Sequence, residues 1–345
     1  MEMRTLGRTG VQVSSLCLGA MMFGKRGNPD HADSIRIIHR ALDAGINFID
    51  TADVYSQGES EEIVAKALAG GRRDGVVLAT KFFNQMGEGP NRRGGSRRWI
   101  TQEVEASLRR LGTDWIDLYQ MHRPDPSCDI DETLGALTDL VRAGKVRYIG
   151  TSTFPAYQLV EAQWVAERRG RERFVCEQPP YNMLARAIEA DVLPVCEKYG
   201  IGVICWSPIA GGWLSGRYRR NGEIPRSARI DILPQLFDPD IPINQLKLDA
   251  ADALGQLADE SGLSLVHLAL AFVLEHPTVT SAIIGPRTME HLESHLGAVD
   301  VKLEPALLDR IDEIVPPGKN VNPADAGWQP PGLASVPLRR RSARV

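Results

Sequence analysis

The sequence contains few cysteines, and they follow no pattern that would pair them or bind a metal. Only five occur among 345 residues, an odd number, and no two stand at C-x-x-C spacing. They are Cys17, Cys128, Cys176, Cys196 and Cys205. This pattern excludes a disulfide framework and a zinc ribbon, so we expect no metal site and a reducing compartment, the cytoplasm.

Long apolar segments are also missing. No stretch of about eighteen uninterrupted apolar residues occurs, so we expect no membrane-spanning helix. The start of the chain, from Met1 to Gly7, lacks the apolar core of a signal peptide. The sequence therefore predicts a protein that neither spans a membrane nor binds to one.

The chain has no excess of charge of one sign. Lysine and arginine number 40 against 44 aspartates and glutamates, a net charge of −4, so no global basic field would attract nucleic acid. Hydrophobic residues make up 43% and charged residues 24%, which is typical of a globular protein and not of a disordered one. None of these features indicates an oligomeric state.

Short apolar runs alternate with amphipathic helical stretches along the chain. Strands are predicted at about residues 16–19, 46–50, 76–80, 116–119, 148–151, 174–177, 202–205 and 281–284. Helices are predicted from about residues 31, 60 and 101 and at about residues 131–143, 155–169, 188–199, 244–261, 264–275 and 288–297. Strands that alternate with helices pair in parallel through right-handed crossovers. Eight such units predict an α/β fold, a closed (β/α)8 TIM barrel.

Three segments interrupt this alternation. Residues 4–13 predict a β-hairpin before the barrel, and long loops are expected at 82–98 and 207–243, after the third and seventh strands. Both loops leave the carboxyl ends of strands, the face on which TIM barrels carry their active sites. We therefore predict one barrel domain over residues 1–315 and an extended, Pro-rich, basic tail over residues 316–345 that ends in Arg339-Arg340-Arg341.

Ionisable residues stand at the ends of consecutive predicted strands. Asp50 ends the second strand, Lys81 the third and His122 the fourth, and Tyr55 lies in the loop after Asp50. Neighbouring strand ends converge on one mouth of a barrel, so these side chains are expected to meet. Tyrosine is a poor acid at pH 7, but an ammonium group beside a phenol favours its ionised form, and a histidine can orient a carbonyl oxygen. The set is typical of a proton-transfer site.

Each of these residues has an ordinary structural explanation when taken alone. Asp50 would cap a loop, Tyr55 would be a half-buried aromatic, Lys81 would be solvated and His122 would be a hydrogen-bonded core histidine. Their order and their positions on successive strand ends favour one shared site over four unrelated uses.

Three motifs around these residues resemble the signature of the aldo-keto reductase family. They are Gly45 to Tyr55 continuing through Gly58-Glu59-Ser60-Glu61, then Thr80-Lys81-Phe82, and then Asp117 to Pro124. The resemblance runs from about Leu6 to about Val315 and implies a TIM barrel that reduces an aldehyde or ketone, a small-molecule substrate. It also implies a catalytic set of Tyr55 as the proton donor with Lys81, Asp50 and His122 assisting.

Other segments resemble the parts of that family that bind a nicotinamide cofactor. Ser152 and Gln178 match carboxamide ligands, Trp206 matches the ring that stacks on the nicotinamide, and residues 207–217 match the loop over the pyrophosphate. Arg287 before a predicted helix favours NADPH over NADH, because a helix N-terminus beside an arginine binds an anion. The implied cofactor-binding residues are Ala20, Met21, Asp50, Ser152, Gln178, Trp206, Ser207, Pro208, Ile209, Gly211, Leu214, Arg217, Gly285, Arg287, His291 and His295.

The resemblance leaves other functions open. A regulatory subunit that binds the cofactor as a redox sensor would carry the same motifs, and so would a nucleotide-sugar ketoreductase with arginines of residues 92–98 on a diphosphate. A Schiff-base aldolase with Lys81 as the nucleophile is a third alternative, although Asp50 would keep that lysine protonated. The substrate is not specified, but an aromatic-lined pocket is expected from Phe23, Tyr55, Phe82, Trp213 and Trp328.

Overall fold

A computed structural model of the chain describes residues 1–220, 222, 230, 231, 233–335 and 339. It begins with an antiparallel hairpin of β1 (Met3–Thr5) and β2 (Gln12–Ser14), as the sequence predicts. Gly7 in its turn has a φ of 55°, and an added Cβ would lie 2.7 Å from the Gly200 carbonyl oxygen. Only glycine fits there, where the hairpin packs against the amino-terminal ends of barrel strands.

Eight parallel strands follow and close into a barrel, which confirms the predicted TIM fold. They are β3 (Leu16–Gly19), β4 (Phe48–Asp50), β5 (Val77–Phe82), β6 (Ile116–Met121), β7 (Val146–Ser152), β8 (Cys176–Gln178), β9 (Gly202–Cys205) and β10 (Val279–Ile284). Each strand pairs with the next along the chain, and β10 pairs with both β9 and β3. The carboxyl ends of all eight strands therefore open on one mouth.

Helices surround the barrel. They are α1 (His31–Asp43), α2 (Glu59–Leu68), α3 (Arg97–Leu111), α4 (Ile130–Arg142), α5 (Ala156–Arg169), α6 (Val192–Tyr199), α7 (Pro234–Phe237), α8 (Pro242–Glu260), α9 (Leu265–Glu275), α10 (Met289–Leu296), α11 (Pro305–Ile314) and α12 (Pro331–Ala334). Within the described residues, no single helix has the length and apolar composition to cross a membrane, and one sharply bent pair, 234–260 with 265–275, passes that test only when joined.

Side chains alternate between the barrel interior and the helix layer along each strand. In β5, Lys81 points into the barrel mouth, whereas Phe82 points outward and packs on Tyr119 at a ring separation of 4.8 Å. Neighbouring residues of a strand face opposite sides of the sheet, so both cannot line the same pocket. The expectation that Phe82 lines the site is therefore wrong.

Among the differences from the sequence prediction are the start of α3 and the presence of α11. The helix expected from about Thr101 begins at Arg97, because the Ser96 hydroxyl accepts a hydrogen bond from the Trp99 N–H and caps the helix earlier. The loop after β5 is therefore shorter than 82–98. Helix α11 was not predicted. It begins at Pro305, a residue well suited to the first helical turn, and it buries Ile311.

The segment after α11 folds back over the barrel. The Val321 N–H donates to the Leu184 carbonyl at 2.9 Å, and Asp325 pairs with the buried Lys247 at 2.9 Å. Residues 221, 223–229 and 232 of the predicted 207–243 loop lie outside the described residues, and so do Arg340 and Arg341 of the basic tail. The division into a barrel ending at residue 315 and a separate tail stays a prediction.

Candidate active site

The barrel mouth gathers the four residues expected to act together. Asp50 ends β4, Lys81 lies near the end of β5, His122 follows β6, and Tyr55 opens a short helical turn after β4. These strands are neighbours in the barrel. The side chains are almost fully buried, from 0% exposed for Lys81 to 9% for Tyr55.

Lys81 is the centre of this group. Its Nζ donates to Asp50 Oδ2 at 2.5 Å, to the Thr51 carbonyl at 2.8 Å and to Tyr55 Oη at 3.3 Å. Burial disfavours the charged lysine, but the Asp50 carboxylate and Tyr55 outweigh it and raise the Lys81 pKa. An ammonium group thus stands beside the tyrosine oxygen and is fixed in place by a carboxylate.

Two buried amides hold Asp50 from the other side. Gln178 Nε2 donates to Asp50 Oδ1 at 2.9 Å, and Gln120 Nε2 donates to the same oxygen at 3.1 Å. Gln120 is a site residue that the sequence reasoning missed. Its position near the end of β6, two residues before His122, was the available signal, because residues two apart in extended chain share a face.

His122 is neutral in this setting. Burial lowers its pKa well below the usual value, and the nearby charges of Lys81, Arg123 and Arg26 lower it further. Its ring meets Tyr55 edge-on, with centroids 5.8 Å apart. Asn84 Nδ2 donates to His122 Nδ1 at 2.9 Å, a contact that the sequence reasoning also missed.

Arg123 places a second cation at the mouth. Its Nη1 donates to the His122 carbonyl at 2.5 Å and lies 3.5 Å from Ser152 Oγ. Its guanidinium carbon lies 5.9 Å from the ring centre of Trp206. This arginine therefore links His122 to the residues expected to bind the nicotinamide. It lies within the Asp117 to Pro124 motif, but the sequence analysis gave it no role.

The expected carboxamide ligands lie together at the mouth. Ser152 Oγ donates to the Gln178 carbonyl at 2.9 Å, so the hydroxyl oxygen is left as an acceptor. Because Gln178 Nε2 is used on Asp50, its Oε1 is the atom left for a ligand N–H. Trp206 is half-buried, and a Cβ on Gly327 of the tail would lie 2.8 Å from its ring.

The loop after β9 presents its backbone to the mouth. Ser207, Ala210 and Gly211 have positive φ angles, and Ile209 and Gly211 are half-exposed. Leu214 is fully buried, and its N–H donates to the Ile209 carbonyl. The remaining positions expected there are Pro208, which is buried, and Arg217, which is exposed.

Basic side chains cluster where β10 ends and α10 begins. Arg287 and Gly285 are exposed, and the charges of Arg287 and Arg217 add to partial burial in lowering the pKa of His291. His295 is 6% exposed, and burial lowers its pKa to about 4, so it is neutral at pH 7. The cluster of Arg217, Arg287 and His291 suits a phosphate group.

The loop after β3 exposes fewer side chains at the mouth than the sequence predicts. The Ala20 N–H donates to the Asp50 carbonyl at 2.8 Å, and its carbonyl accepts from Ser60 Oγ at 2.8 Å. Ala20 is fully buried and Met21 is half-exposed, so of the two residues only Met21 presents its side chain to a ligand.

Two aromatic residues expected to line a substrate pocket are buried in the core instead. Trp213 is fully buried, donates from Nε1 to the Leu236 carbonyl at 3.1 Å and packs on Tyr218. Phe23 is also 0% exposed. The aromatic-lined pocket is therefore wrong for these two residues as well as for Phe82. Trp328 is half-exposed, next to the glycine that lies against Trp206.

Backbone strain is concentrated at the mouth. In the described ranges, the non-glycine residues with positive φ are Ser56, Gln57, Phe83, Thr153, Ser207 and Ala210. Each lies in a loop that follows the carboxyl end of a strand. Such angles cost roughly 1–3 kcal/mol each and persist where the surrounding structure enforces them, most often at functional sites.

The mouth thus fits a nicotinamide cofactor on several independent observations. A half-exposed indole at Trp206 offers a stacking surface, Ser152 Oγ and Gln178 Oε1 offer acceptors, and the basic cluster offers a phosphate site. Beside these groups lie the rings of Tyr55 and His122, with their centroids 5.8 Å apart.

The chain is similar to known proteins over most of its length. An Aldo/keto reductase family model matches residues 15–316. The uncharacterized oxidoreductase YrpG of Bacillus subtilis (strain 168) is 40% identical over 339 residues, covering 95% of this chain and 100% of the relative. A versiconal hemiacetal acetate reductase of Aspergillus parasiticus is 34% identical, covering 94% and 100%.

A further relative is named as a channel subunit and not as an oxidoreductase. A probable voltage-gated potassium channel subunit beta of Arabidopsis thaliana is 37% identical over 323 residues, covering 91% of this chain and 97% of the relative. The family match spans nearly the whole chain and includes Asp50, Tyr55, Lys81 and His122. The chain therefore belongs to the aldo/keto reductase family.

Proposed function

We propose that this protein is an NADPH-dependent reductase of aldehydes or ketones. The observation that carries the proposal is the contact chain from Asp50 through Lys81 to Tyr55, which places an ammonium group 3.3 Å from the phenol oxygen. Family membership supports an oxidoreductase. All five cysteines are free thiols, which supports a reducing compartment, the cytoplasm.

The cofactor would be held by residues from several strand ends. Ser152 and Gln178 would bond the carboxamide, Trp206 would stack on the ring, and the loop from Ser207 to Arg217 would cover the pyrophosphate. Arg287 would hold the 2′-phosphate, assisted by His291, which is why we favour NADPH over NADH. When bound, the nicotinamide supplies the hydride.

The protein would supply the proton and the electrostatic setting. Tyr55 Oη would donate a proton to the carbonyl oxygen of the substrate. The Lys81 ammonium would stabilise the negative charge that this transfer leaves on Tyr55 Oη. Asp50 would keep Lys81 charged and in place. His122 would donate a hydrogen bond to the same carbonyl oxygen, so that two donors face the site where negative charge develops.

A redox-sensing regulatory subunit is the second candidate. It is supported by the relatives named as potassium channel beta subunits and not by a feature of the site itself. The nucleotide-sugar alternative would use arginines such as Arg92 and Arg93 to bind a diphosphate. The guanidinium carbon of Arg93 lies 5.9 Å from the centre of the Phe83 ring. The complete and tightly bonded set around Lys81 favours turnover over either alternative.

The test is oxidation of NADPH, and separately NADH, with 4-nitrobenzaldehyde, followed by the absorbance of the reduced cofactor. We expect wild type to oxidise NADPH faster than NADH. Tyr55→Phe should lower turnover by about 10²- to 10⁴-fold, the usual contribution of a positioned general acid. NADPH binding, measured by quenching of tryptophan fluorescence, should be unchanged.

Tyr157→Phe is the matched control, because Tyr157 is 59% exposed on the surface of α5. It should keep full activity. Equal turnover by wild type and Tyr55→Phe would contradict the proton-donor role. Tight NADPH binding without any turnover would favour the regulatory subunit.

A further inference from the structure

Asn84 contacts the histidine of the site from the loop that follows β5. Its Nδ2 donates to His122 Nδ1 at 2.9 Å. Among the described residues, no protein group is hydrogen-bonded to the other ring nitrogen, Nε2. The two nitrogens of His122 are thus in different settings, one used by the protein and one left for a ligand.

The backbone holds Asn84 in this position. Phe82 and Met121 are paired in the barrel, and the His122 N–H donates to the Phe82 carbonyl at 2.9 Å. Phe83 then turns the chain with a φ of 123°, and its carbonyl accepts from the Gly94 N–H at 2.8 Å. The strained turn brings the Asn84 amide to the histidine ring, which gives the strain at Phe83 a structural purpose.

A neutral imidazole carries one proton, and its location decides what the ring can do. With an amide N–H donating to Nδ1, that nitrogen is an acceptor and the proton must be on Nε2. Nε2–H can then donate to a carbonyl oxygen. If the proton were on Nδ1, Nε2 would present a lone pair to the carbonyl oxygen and repel it.

We propose that Asn84 is a positioning residue that fixes His122 in the Nε2–H tautomer and so makes it a hydrogen-bond donor to the substrate carbonyl. This inference rests on the proposed reductase function, but its central claim concerns the histidine ring itself. Asn84 acts only through His122 and touches no reacting atom.

Asn84→Asp reverses the polarity of this contact and gives a distinctive pH profile. A carboxylate at residue 84 would accept a hydrogen bond from Nδ1–H and favour the protonated ring. The other charged and titratable groups that face His122 are Lys81, Tyr55, Arg123 and Arg26. The imidazolium donates from Nε2, but on losing one proton it would keep the proton on Nδ1. Activity of this variant should therefore fall as pH rises through about 6 to 9, where histidine in wild type stays neutral and in its donor form.

The experiment measures kcat/KM for 4-nitrobenzaldehyde with NADPH for wild type, Asn84→Ala, Asn84→Asp and Gln85→Ala. Asn84→Ala should lower kcat/KM by about fivefold to tenfold at all pH values, the factor that corresponds to one neutral hydrogen bond. Gln85→Ala is the loop control, because Gln85 Nε2 bonds the Gly87 and Gly89 carbonyls and is exposed. It should match wild type.

The second readout is nitrogen-15 NMR of the histidine rings in NADPH-loaded wild type and Asn84→Ala. Nε2–H in wild type, with a mixed signal in the variant, supports the inference. Nδ1–H in wild type, or an Asn84→Asp profile parallel to that of wild type, overturns it. If wild type turns over no carbonyl, the reductase proposal fails, and the NMR measurement still decides the tautomer.

Discussion

Gln178 and Asp50 are hydrogen-bonded through the barrel interior, with Gln178 Nε2 donating to Asp50 Oδ1 at 2.9 Å. A residue that the family resemblance assigns to the cofactor is therefore also part of the network that orients Lys81. One end of the amide, Nε2, bonds the carboxylate, which leaves Oε1 as the acceptor that we propose for the cofactor. Changes at Gln178 should consequently affect both catalysis and cofactor binding.

Gln178→Leu should lower kcat by about tenfold, because one charge-assisted hydrogen bond to Asp50 is lost. It should also weaken NADPH binding, because the Oε1 acceptor proposed for the cofactor is lost. Gln163→Leu is a matched control. Gln163 is also buried, on α5, and its Nε2 donates to the Phe174 carbonyl. Both variants should lose about 1–2 kcal/mol of unfolding free energy in urea denaturation, but only the first should lose activity. Equal losses of kcat would contradict the dual role.

Lys81→Met should destabilise the fold by about 3–5 kcal/mol, because it leaves the Asp50 carboxylate, 2% exposed, without its counter-ion. Adding Asp50→Asn to this variant removes the stranded charge. We therefore expect the double variant to be more stable than Lys81→Met alone. Urea midpoints of the two single variants and the double variant measure the coupling, and simple additivity would show that the pair is not coupled.

Glu177 gives a pH dependence of stability with a definite sign. Burial raises its pKa from 4.5 to about 7, despite hydrogen bonds from Thr151 Oγ1 and the Phe154 N–H. The folded state thus holds a proton that the unfolded state has lost between these pH values. Ionisation of the buried Glu177 therefore lowers the free energy of unfolding. This loss is absent below about pH 4.5 and reaches about 3 kcal/mol above pH 7.

Glu177→Gln should remove this cost, so its gain in unfolding free energy over wild type should grow as pH rises from about 5 to 8. The measured quantity must be the difference in unfolding free energy between the variant and wild type, because His122 changes stability with pH in the opposite direction. Its pKa is lowered in the fold, so the folded state binds fewer protons and gains stability with rising pH. Glu161→Gln, at an exposed position of α5, is the control and should show a constant difference.

Arg287→Leu should raise the Kd for NADPH by about 10- to 100-fold and leave NADH binding unchanged, because only NADPH carries the 2′-phosphate that the guanidinium would bind. The measurement is quenching of tryptophan fluorescence by each cofactor. Arg142→Leu, an exposed arginine in the last turn of α4, serves as the control. A parallel loss for both cofactors would place Arg287 elsewhere than at the 2′-phosphate.

The sequence predicts the barrel well because the signals involved are local and repeated. Eight apolar runs alternate with amphipathic helices, and such a pattern has few compact solutions. The positions of Asp50, Lys81 and His122 at strand ends also follow from the pattern, since parallel strands all end on one face. Their meeting in the structure follows from the order of the strands.

Other parts of the site depend on geometry that residue patterns do not contain. The contact between Asn84 and His122 needs a left-handed turn at Phe83, a conformation that the sequence does not indicate for a phenylalanine. Phe82 does not share the pocket with Lys81, because successive residues of a strand face opposite sides of the sheet. Helix α11 carries apolar residues at helical spacing, from Leu307 to Ile314, and this signal was overlooked because the helix follows the eighth strand and its helix.

The two ends of the chain differ in their relation to the entrance of the barrel. The hairpin that follows Met1 closes the floor, whereas the tail passes so near Trp206 that a methyl group on Gly327 would collide with the indole. The tail at Gly327 therefore lies on the side where substrates would enter, and Met1 lies at the other end of the barrel. For immobilisation on a surface, or for fusion to a second protein, attachment through Met1 would turn the entrance outward.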